Sequence, residues 1–434
     1  MPRRASALSG SRIAKAFPDR DNAVLVNPAQ LVRNARLVIN KVTQHCNLSC
    51  TYCSAMAVRP DGSIDHISDE VFDRAVALFV GETHQPMIEW LFHGGEPLLL
   101  PASWYRRAFD RIEQVARRNP RLRRLQFALQ TNAVALKEEH LELFVERRCT
   151  VSSSLDGAPE VNDLHRGKGK TALKNIARLA EAGIGGGVIT VLTPLNVDRV
   201  EELLDYFAAH GVNGVKLNNM VCVGRGEEQS GISAEQFARA QFRYVERVAR
   251  LGRVDLLSRE LQSVVEEFVA GPDRVVDRQT CYSYECAAGR YFFGVESTGD
   301  VFPCGRGADT KAFRLFNVME REVEAAGPKA ALHTLHHKDP WYVRCFGCSA
   351  KRICTFGCPA FEYENLPERE LQCASTKALY RLLEENPAVA QAAARAFRAA
   401  APASPLPLGI SVEQKAPELA TDSPKTLSQT QPTP

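Results

Sequence analysis

Apolar residues recur in two alternating patterns along the first half of the chain. Short runs rich in β-branched residues, such as Leu37–Thr43, are typical of strands, and longer stretches with an apolar residue every three or four positions are typical of amphipathic helices. These patterns predict strands at Leu37–Thr43, Pro86–Phe92, Arg124–Gln130, Thr150–Leu155, Gly187–Leu192 and Asn213–Leu217. They predict helices at Ser68–Val80, Ala102–Arg118, Lys137–Arg147, Ala172–Ala182 and Val197–His210.

The regular alternation of strands and helices predicts an α/β fold. Strands joined through helices lie parallel and are connected by right-handed crossovers. Six such units over residues 35–232 form a partial (β/α)6 barrel, similar to a TIM barrel but open on one side, after an N-terminal extension of residues 1–34. Barrels of this kind keep their active sites at the carboxyl ends of the strands.

The pattern changes after the barrel. Residues 233–271 are wholly helical in pattern and form a linker, and residues 272–374 have short regular elements and dense cysteines, which predicts a small second domain. A C-terminal helix follows over residues 375–400, interrupted at Asn386-Pro387. Residues 401–434 contain seven prolines and few aromatic side chains. They cannot bury enough surface to offset the entropy of ordering, so we expect a disordered tail.

Composition narrows the functional classes. The 45% hydrophobic content of 434 residues is enough for two or three domains. Because 54 Lys and Arg nearly balance 51 Asp and Glu, no basic footprint for nucleic acid is visible. There is no apolar run of the ~20 residues that a membrane span requires. The N-terminus has no apolar export signal, so the cysteines, eleven of which fall into three spaced sets, are interpreted as metal ligands in a reducing cytoplasm and not as disulfides.

The first cysteine set follows the first predicted strand and has three members, Cys46, Cys50 and Cys53. Thiolates are preferred ligands of iron–sulfur clusters. A four-iron cluster held by three protein ligands leaves one iron open to an exogenous chelator. On this triplet alone, a zinc site or three unrelated buried thiols remain alternatives.

The spacing Cys-x3-Cys-x2-Cys resembles the signature of the radical S-adenosylmethionine enzymes. A second motif, Phe92-His-Gly-Gly-Glu-Pro97, supports the resemblance, because a Gly-Gly-Glu-Pro sequence of this kind binds the methionine amino group in that family. The resemblance therefore implies that S-adenosylmethionine is bound by the residues of this motif, which are Gly94, Gly95, Glu96 and Pro97.

Further polar residues follow other predicted strands. By resemblance, Asn132, Ser154 and Arg166 are candidates to contact the ribose and carboxylate of the nucleotide, and Tyr52 to lie near the adenine and the cluster. Each has a plainer alternative: a strand cap for Asn132 and Ser154, a surface ion pair for Arg166, and core packing for Tyr52.

The second cysteine region resembles the SPASM domain of peptide-maturing radical enzymes, which carries auxiliary iron–sulfur clusters. The family's interleaved connectivity assigns one four-iron cluster to Cys281, Cys286, Cys304 and Cys358. It assigns another to Cys345, Cys348, Cys354 and Cys373. Zinc is the alternative occupant of such cysteines. Cys149 and Cys222 are left over and are expected to behave as small hydrophobic residues.

The resemblance implies a radical oxidoreductase with three [4Fe-4S] clusters. Reductive cleavage of S-adenosylmethionine would give a 5′-deoxyadenosyl radical that oxidises a C–H bond of a ribosomally made peptide, ending in an intramolecular cross-link. Implied partners are a precursor peptide and a reductant such as flavodoxin or ferredoxin, and a separate leader-binding protein stays open. No catalytic residue is identified.

Other functions remain open at this stage. One is formylglycine formation, as in anaerobic sulfatase maturases, but those enzymes have an aspartate base where this chain has Gly305. Asp300 or Asp309 is the nearest substitute base. Another is radical oxidation of a small antibiotic or sugar precursor. A protein that only transfers electrons is a third, and the Gly94–Pro97 motif argues against it.

Overall fold

The computed structural model describes residues 25–54, 66–222, 224–227, 229–270, 286–306, 313–336, 345, 347–354, 357–358, 368–400 and 410–412. Its strands are β1 Leu25–Val26, β2 Leu37–Thr43, β3 Met87–Gly94, β4 Arg124–Thr131, β5 Thr150–Ser154, β6 Gly185–Leu192, β7 Val215–Asn219, β8 Phe292–Val295, β9 Asp300–Phe302, β10 Phe316–Asn317, β11 Val323–Glu324 and β12 Ile410–Ser411. Its α-helices are α1 Pro28–Val32, α2 Asp69–Glu82, α3 Ala102–Ala116, α4 Glu138–Glu146, α5 Pro159–Asn162, α6 Gly169–Glu181, α7 Val200–Ala209, α8 Ala234–Leu251, α9 Arg259–Ala270, α10 Ala326–His336, α11 Glu368–Glu385 and α12 Pro387–Ala399.

Strands β2 to β7 form one parallel sheet in chain order. The α/β class with parallel strands is therefore confirmed. Alternate residues of β4 are buried, as expected for a strand with a helix-covered face. The carboxyl ends of the strands share one edge of the sheet, where the predicted cofactor residues follow β2, β3, β4 and β5.

The sheet continues into residues that the sequence assigned to the second domain. Strand β8 pairs in parallel with β2, from Leu37 opposite Phe292 to Asn40 opposite Val295, and β9 and β10 extend the sheet antiparallel. An unpaired β2 would expose a row of backbone donors and acceptors, which β8 satisfies. In addition, β1 of the N-terminal extension pairs with β11.

Two other segments differ from expectation. Within the predicted tail, Ile410 and Ser411 pair with Leu125 and Arg124 at the start of β4. Strand β5 pairs with β4 only from Ala128 onward. The remaining tail residues, other than Val412, lie outside the described residues. The predicted helical linker is divided, because α8 ends at Gly252, whose φ of 65° is left-handed.

Aromatic side chains dominate the core between the sheet and helices α2 to α4. Trp90 and Phe92 of β3 are fully buried, and the ring of Phe92 contacts Tyr105 and Phe109 of α3 edge-on at centroid distances of 5.3 and 5.5 Å. A second core joins α7 and α8 with α11 and α12. No helix in the described part of the chain has both the length and the hydropathy that a bilayer crossing demands.

Candidate cofactor site at the strand carboxyl ends

The loop after β2 brings the first three cysteines together. Cys46, Cys50 and Cys53 lie around a small apolar cluster that includes Leu48 and Tyr52. The loop folds on itself, because the N–H of Leu48 donates to Cys46 Sγ at 3.4 Å and the N–H of Cys53 donates to the Cys50 carbonyl at 3.3 Å. The predicted ligand triplet therefore occupies one sheltered loop.

Burial controls the ionisation of these thiols. It raises the pKa of Cys46 to about 11 and also raises the pKa of Cys50, although the Arg166 guanidinium opposes the rise at Cys50. Ligation of a metal by such thiols would release protons. Within the described ranges, no three cysteine, histidine or acidic side chains are arranged to hold a metal ion. The ligand role of the triplet stays a prediction that rests on its donor chemistry.

Gly94 and Gly95 bring β3 against the cysteine loop. A Cβ atom on Gly94 would come closer than 3.0 Å to the Thr43 carbonyl oxygen, and one on Gly95 equally close to the His45 carbonyl. In return, the N–H groups of Gly95 and Glu96 donate to those two carbonyls at 2.9 and 2.6 Å. Among the described residues, the two glycines therefore let β3 lie close to the backbone at Thr43 and His45.

The Glu96 carboxylate is fully buried and joins β3 to β4. Oε1 accepts from the N–H of Leu98 at 2.9 Å and from the Thr131 hydroxyl at 2.6 Å, and Oε2 accepts from the N–H of Asn132 at 2.7 Å. Burial raises the pKa of Glu96, and the three hydrogen bonds oppose that rise. Because a carboxylate oxygen has two lone pairs, Oε2 has capacity for one further donor, as the predicted ammonium contact requires.

Asn132 contacts the cysteine loop. Its Nδ2 donates to Asn47 Oδ1 at 2.7 Å and lies 3.7 Å from Cys46 Sγ, and its Oδ1 accepts from the N–H of Val134 at 2.9 Å. The expected ribose contact is therefore not tested by these bonds. They hold the Asn132 side chain against the loop of the first cysteine.

Tyr52, Asp156 and Arg166 form one buried network. The Tyr52 hydroxyl donates a short hydrogen bond to Asp156 Oδ2 and accepts from Arg166 Nη1 at 2.8 Å. Burial raises the pKa of Asp156, and Arg166 opposes the rise; the pKa of Tyr52 is well above its ordinary value, mainly through burial. The network links the cysteine loop to the end of β5. Tyr52 is 7% exposed.

Asp156 was not selected from the sequence, although it lies two residues after the end of β5 in the run Leu155-Asp156-Gly157. Its position at a strand carboxyl end was the signal that could have identified it. Ser154, which was selected, accepts a hydrogen bond from Gln130 Nε2 at 3.2 Å and lies at the same edge. Pro97 begins a buried 3-10 turn and its carbonyl accepts from the Tyr105 hydroxyl.

The segment after β7 packs on the cysteine loop. The N–H of Arg225 donates to the Cys53 carbonyl at 3.1 Å, and Met220 and Cys222 belong to the apolar cluster around the triplet. Cys222 Sγ donates to the Gln229 carbonyl at 3.6 Å. A fourth thiol therefore packs on the same apolar cluster as the three predicted ligands, although it is distant from them in sequence.

The described cysteines of the second region pack against two different cores. Cys286, Cys304 and Cys358 pack against the core that contains β2 and β8. Burial and the nearby Cys373 and Cys348 raise the pKa of Cys345, and Cys348 packs against the other core. Cys354 is half-buried, and Cys281 lies outside the described residues. The assignment of these cysteines to two ligand sets stays a prediction.

Part of the chain is similar to a known protein family. Residues 40–207 match the radical SAM superfamily. The chain is 26% identical to a serine-type anaerobic sulfatase-maturating enzyme of Bacteroides thetaiotaomicron over 180 residues, or 39% of this chain and 42% of that enzyme. It is 23% identical to a cysteine-type enzyme of Clostridium perfringens over 341 residues, or 74% of this chain and 88% of that enzyme.

Two solved structures share the fold. Native anSMEcpe with bound AdoMet and a Cp18Cys peptide superposes with a TM-score of 0.65 at 20% identity, covering 83% of this chain and 99% of that chain. Streptococcus suis SuiB bound to the precursor peptide SuiA superposes with a TM-score of 0.56 at 15% identity, covering 77% of this chain and 74% of that one. At these identities the likeness shows the fold alone.

Proposed function

We propose that the chain, whose residues 40–207 match the radical SAM superfamily, is a radical SAM oxidoreductase of the SPASM type that modifies a ribosomally made peptide. The proposed product is an intramolecular cross-link formed after oxidation of a C–H bond. The proposal rests on relatives that mature sulfatases and on a structural neighbour bound to its precursor peptide. Sulfatase maturation and precursor-peptide binding are properties of those proteins, and for this chain a peptide substrate is our proposal.

One observation carries the proposal most directly. The three predicted cluster ligands lie on a loop that is held by the Gly94-Gly95-Glu96 backbone and by Asn132, at the carboxyl edge of parallel strands. S-adenosylmethionine and a reduced [4Fe-4S] cluster held there would supply the radical chemistry that oxidises a C–H bond. The residues fit this cofactor pair, because three thiols leave one iron open and Glu96 Oε2 can accept a further donor.

The chain's own groups shape this site. Glu96 and Asn132 fix the loop that presents the cysteines, and Met220 and Leu48 keep water from one side of it. Arg166 places a buried positive charge near Cys50. Exclusion of water around a reactive site limits side reactions of a radical.

The second cysteine region supports a net oxidation. Removal of a hydrogen atom from a substrate carbon leaves a carbon radical. If this radical forms a new bond without gaining hydrogen, one further electron and one proton must leave the substrate. Eight cysteines in two sets would hold two auxiliary clusters that accept this electron. Their exposure and sulfur hydrogen bonds would set the potentials.

The structure gives no carboxylate base at Gly305. A Cβ added to Gly305 would lie 3.4 Å from Ile39 of β2, so this position packs on the sheet. Asp300 is the described candidate for a substitute base, and its Oδ1 accepts a hydrogen bond from Arg314 Nε at 2.7 Å. Burial alone would raise the pKa of Asp300, but the hydrogen bonds from Arg314 and Asn317 outweigh burial and lower it. A carboxylate held in this way is a weaker base. Asp309 lies outside the described residues.

Co-expression with a short peptide encoded beside this gene, followed by mass spectrometry, tests the proposal. A peptide that loses two hydrogens only in the presence of the protein supports oxidation, and the Cys46→Ala variant is the matched control. Release of 5′-deoxyadenosine with an unchanged peptide mass would contradict the proposed net oxidation.

A further inference from the structure

A cavity of about 210 Å³ lies beside β7, between the sheet and helices α8, α9 and α11. On the sheet side it is lined by the four consecutive residues 216–219. Because successive side chains of a strand point to opposite faces, a cavity that touches four in a row must run along the strand's edge. Strand β7 is the last strand of its sheet, and the edge away from β6 carries one isolated bridge, between Val215 and Leu257, among the described residues.

Backbone groups of β7 are available on this edge. The N–H of Val188 donates to the Gly214 carbonyl and the N–H of Met220 donates to the Leu192 carbonyl, so the even-numbered positions of β7 face β6. The N–H and C=O groups of Leu217 and Asn219 therefore face the cavity. No described residue outside the sheet forms a hydrogen bond to them. Val215 is the preceding position that faces away from β6, and its carbonyl accepts a hydrogen bond from the Tyr244 hydroxyl.

The side chains around the cavity are neutral in sum and rich in amides. Lys216 Nζ and Glu260 Oε1 form an ion pair of 2.6 Å, so their charges offset each other. Asn218 and Gln241 line the cavity, and in the described part of the chain neither side-chain amide has a hydrogen-bond partner. Such a lining suits backbone amides and neutral side chains better than a charged cofactor, because unpaired amides are costly to bury.

The cavity also lies between the two cysteine regions. At one end of β7, Met220 packs with Cys50 in the cluster around the first triplet. On the opposite wall, Gly357 and Gln372 each precede a predicted auxiliary ligand, and Gln372 Oε1 accepts from the N–H of Cys358 at 2.9 Å. An occupant of the cavity would therefore lie between the site of radical formation and the proposed electron acceptors.

We propose that an extended segment of the substrate peptide binds in this cavity as an added strand on β7. Its backbone pairs with the N–H and C=O groups of Leu217 and Asn219 that no described residue outside the sheet bonds, a mode that gives affinity through main-chain hydrogen bonds. Asn218 and Gln241 select neutral side chains on that segment. This inference rests on the proposed function and adds the binding mode of its peptide substrate.

An mRNA-displayed library of random decapeptides, selected on the anaerobically reconstituted full chain, supplies the probe. Leu217→Pro removes the N–H on the free edge and leaves the bonds of the even-numbered positions to β6 in place. Leu217→Ala loses the same side chain but keeps that N–H. We expect an enriched peptide to bind Leu217→Pro about 3- to 10-fold more weakly than Leu217→Ala, the effect of one or two net hydrogen bonds.

N-methylation of single amides in the enriched peptide gives an independent measurement on the unaltered protein. Weakening at alternate positions, as in a strand, supports the inference. Equal affinity for the two Leu217 variants together with indifference to N-methylation overturns it, as does a selection that enriches no peptide. An enriched peptide that shows the expected losses but is not changed in mass with S-adenosylmethionine and reductant supports this site and contradicts the proposed function.

Discussion

Glu96 Oε2 accepts a hydrogen bond of 2.7 Å from the backbone N–H of Asn132. This bond joins the carboxyl ends of β3 and β4, and the Asn132 side chain in turn contacts Asn47 and lies near Cys46 on the cysteine loop. Changes at Glu96 should therefore alter both the fold of the site and its capacity to hold a ligand's ammonium group.

The Glu96→Gln variant replaces one acceptor oxygen with an amide donor. Because both carboxylate oxygens accept hydrogen bonds, one N–H or hydroxyl loses its partner, and we expect the free energy of unfolding to fall by about 1–3 kcal/mol. Affinity for S-adenosylmethionine should fall at least tenfold through loss of the charge. Urea unfolding and anaerobic equilibrium dialysis measure the two effects. The exposed Glu82→Gln variant is the control, and an unchanged affinity in Glu96→Gln would contradict the ligand role.

Gly95→Ala should disrupt the cysteine loop. Its Cβ would meet the His45 carbonyl at less than 3.0 Å, which forces backbone to move. We expect iron bound at the first cluster to decrease by more than half, seen as loss of the S-adenosylmethionine-sensitive EPR signal. Gly81→Ala in α2 is the matched control, since its nearest neighbour would be at 3.5 Å and alanine favours helix by about 1 kcal/mol. Full cluster occupancy in Gly95→Ala would show that the close approach is dispensable.

Cys222→Ala tests whether the fourth nearby thiol is a ligand. The Sγ of Cys222 donates to the Gln229 carbonyl, so we expect it to remain a packing residue. Iron content and the EPR response to S-adenosylmethionine should match those of the unaltered protein, whereas Cys50→Ala should lose that response and about four of the twelve iron atoms. If Cys222→Ala instead gained affinity for S-adenosylmethionine, Cys222 would be occupying the open iron.

Stability should depend on pH through His93. Burial and the nearby Lys41 lower the pKa of His93 to about 4, and the neutral ring accepts from the N–H of Gly94 at 2.7 Å. As pH falls below about 6.5 the unfolded chain binds a proton that the folded chain does not, so the free energy of unfolding decreases. We expect a loss of about 2 kcal/mol between pH 7 and pH 5.

Urea unfolding of His93→Gln at both pH values isolates this contribution, because glutamine can still accept the Gly94 N–H but does not titrate. The variant should lose about 2 kcal/mol less than the unaltered protein over the same interval. His84→Gln, at an exposed position, serves as the control. If the unaltered protein, His93→Gln and His84→Gln all lose the same free energy of unfolding between pH 7 and pH 5, groups other than His93 cause the pH dependence.

Local patterns predicted most of the regular structure. Strand β2 was expected at Leu37–Thr43 and has those bounds, because its alternating and β-branched residues suit a pleated, buried element. Helix α8 begins one residue after the expected start, since Ser233 caps it together with Gln236. Elements whose boundaries depend on their own residues could be found without tertiary information.

Long-range pairing could not be found in this way. Strand β8 joins β2 across 255 residues of sequence, and no short pattern in Phe292–Val295 specifies that partner. The same limit applies to the site, where no sequence pattern indicated that the Tyr52 hydroxyl bonds Asp156 and Arg166. Motifs identified which residues gather at the strand ends, and the fold decided which of them bond to each other.

The EPR spectrum of the reduced, anaerobically reconstituted protein, recorded with and without S-adenosylmethionine, tests the central claim most directly. The account predicts about twelve iron atoms per chain, a change in the signal on addition of S-adenosylmethionine, and loss of that change in Cys46→Ala while the auxiliary signals persist. A chain that binds far less iron, or whose signal is indifferent to S-adenosylmethionine, would contradict it.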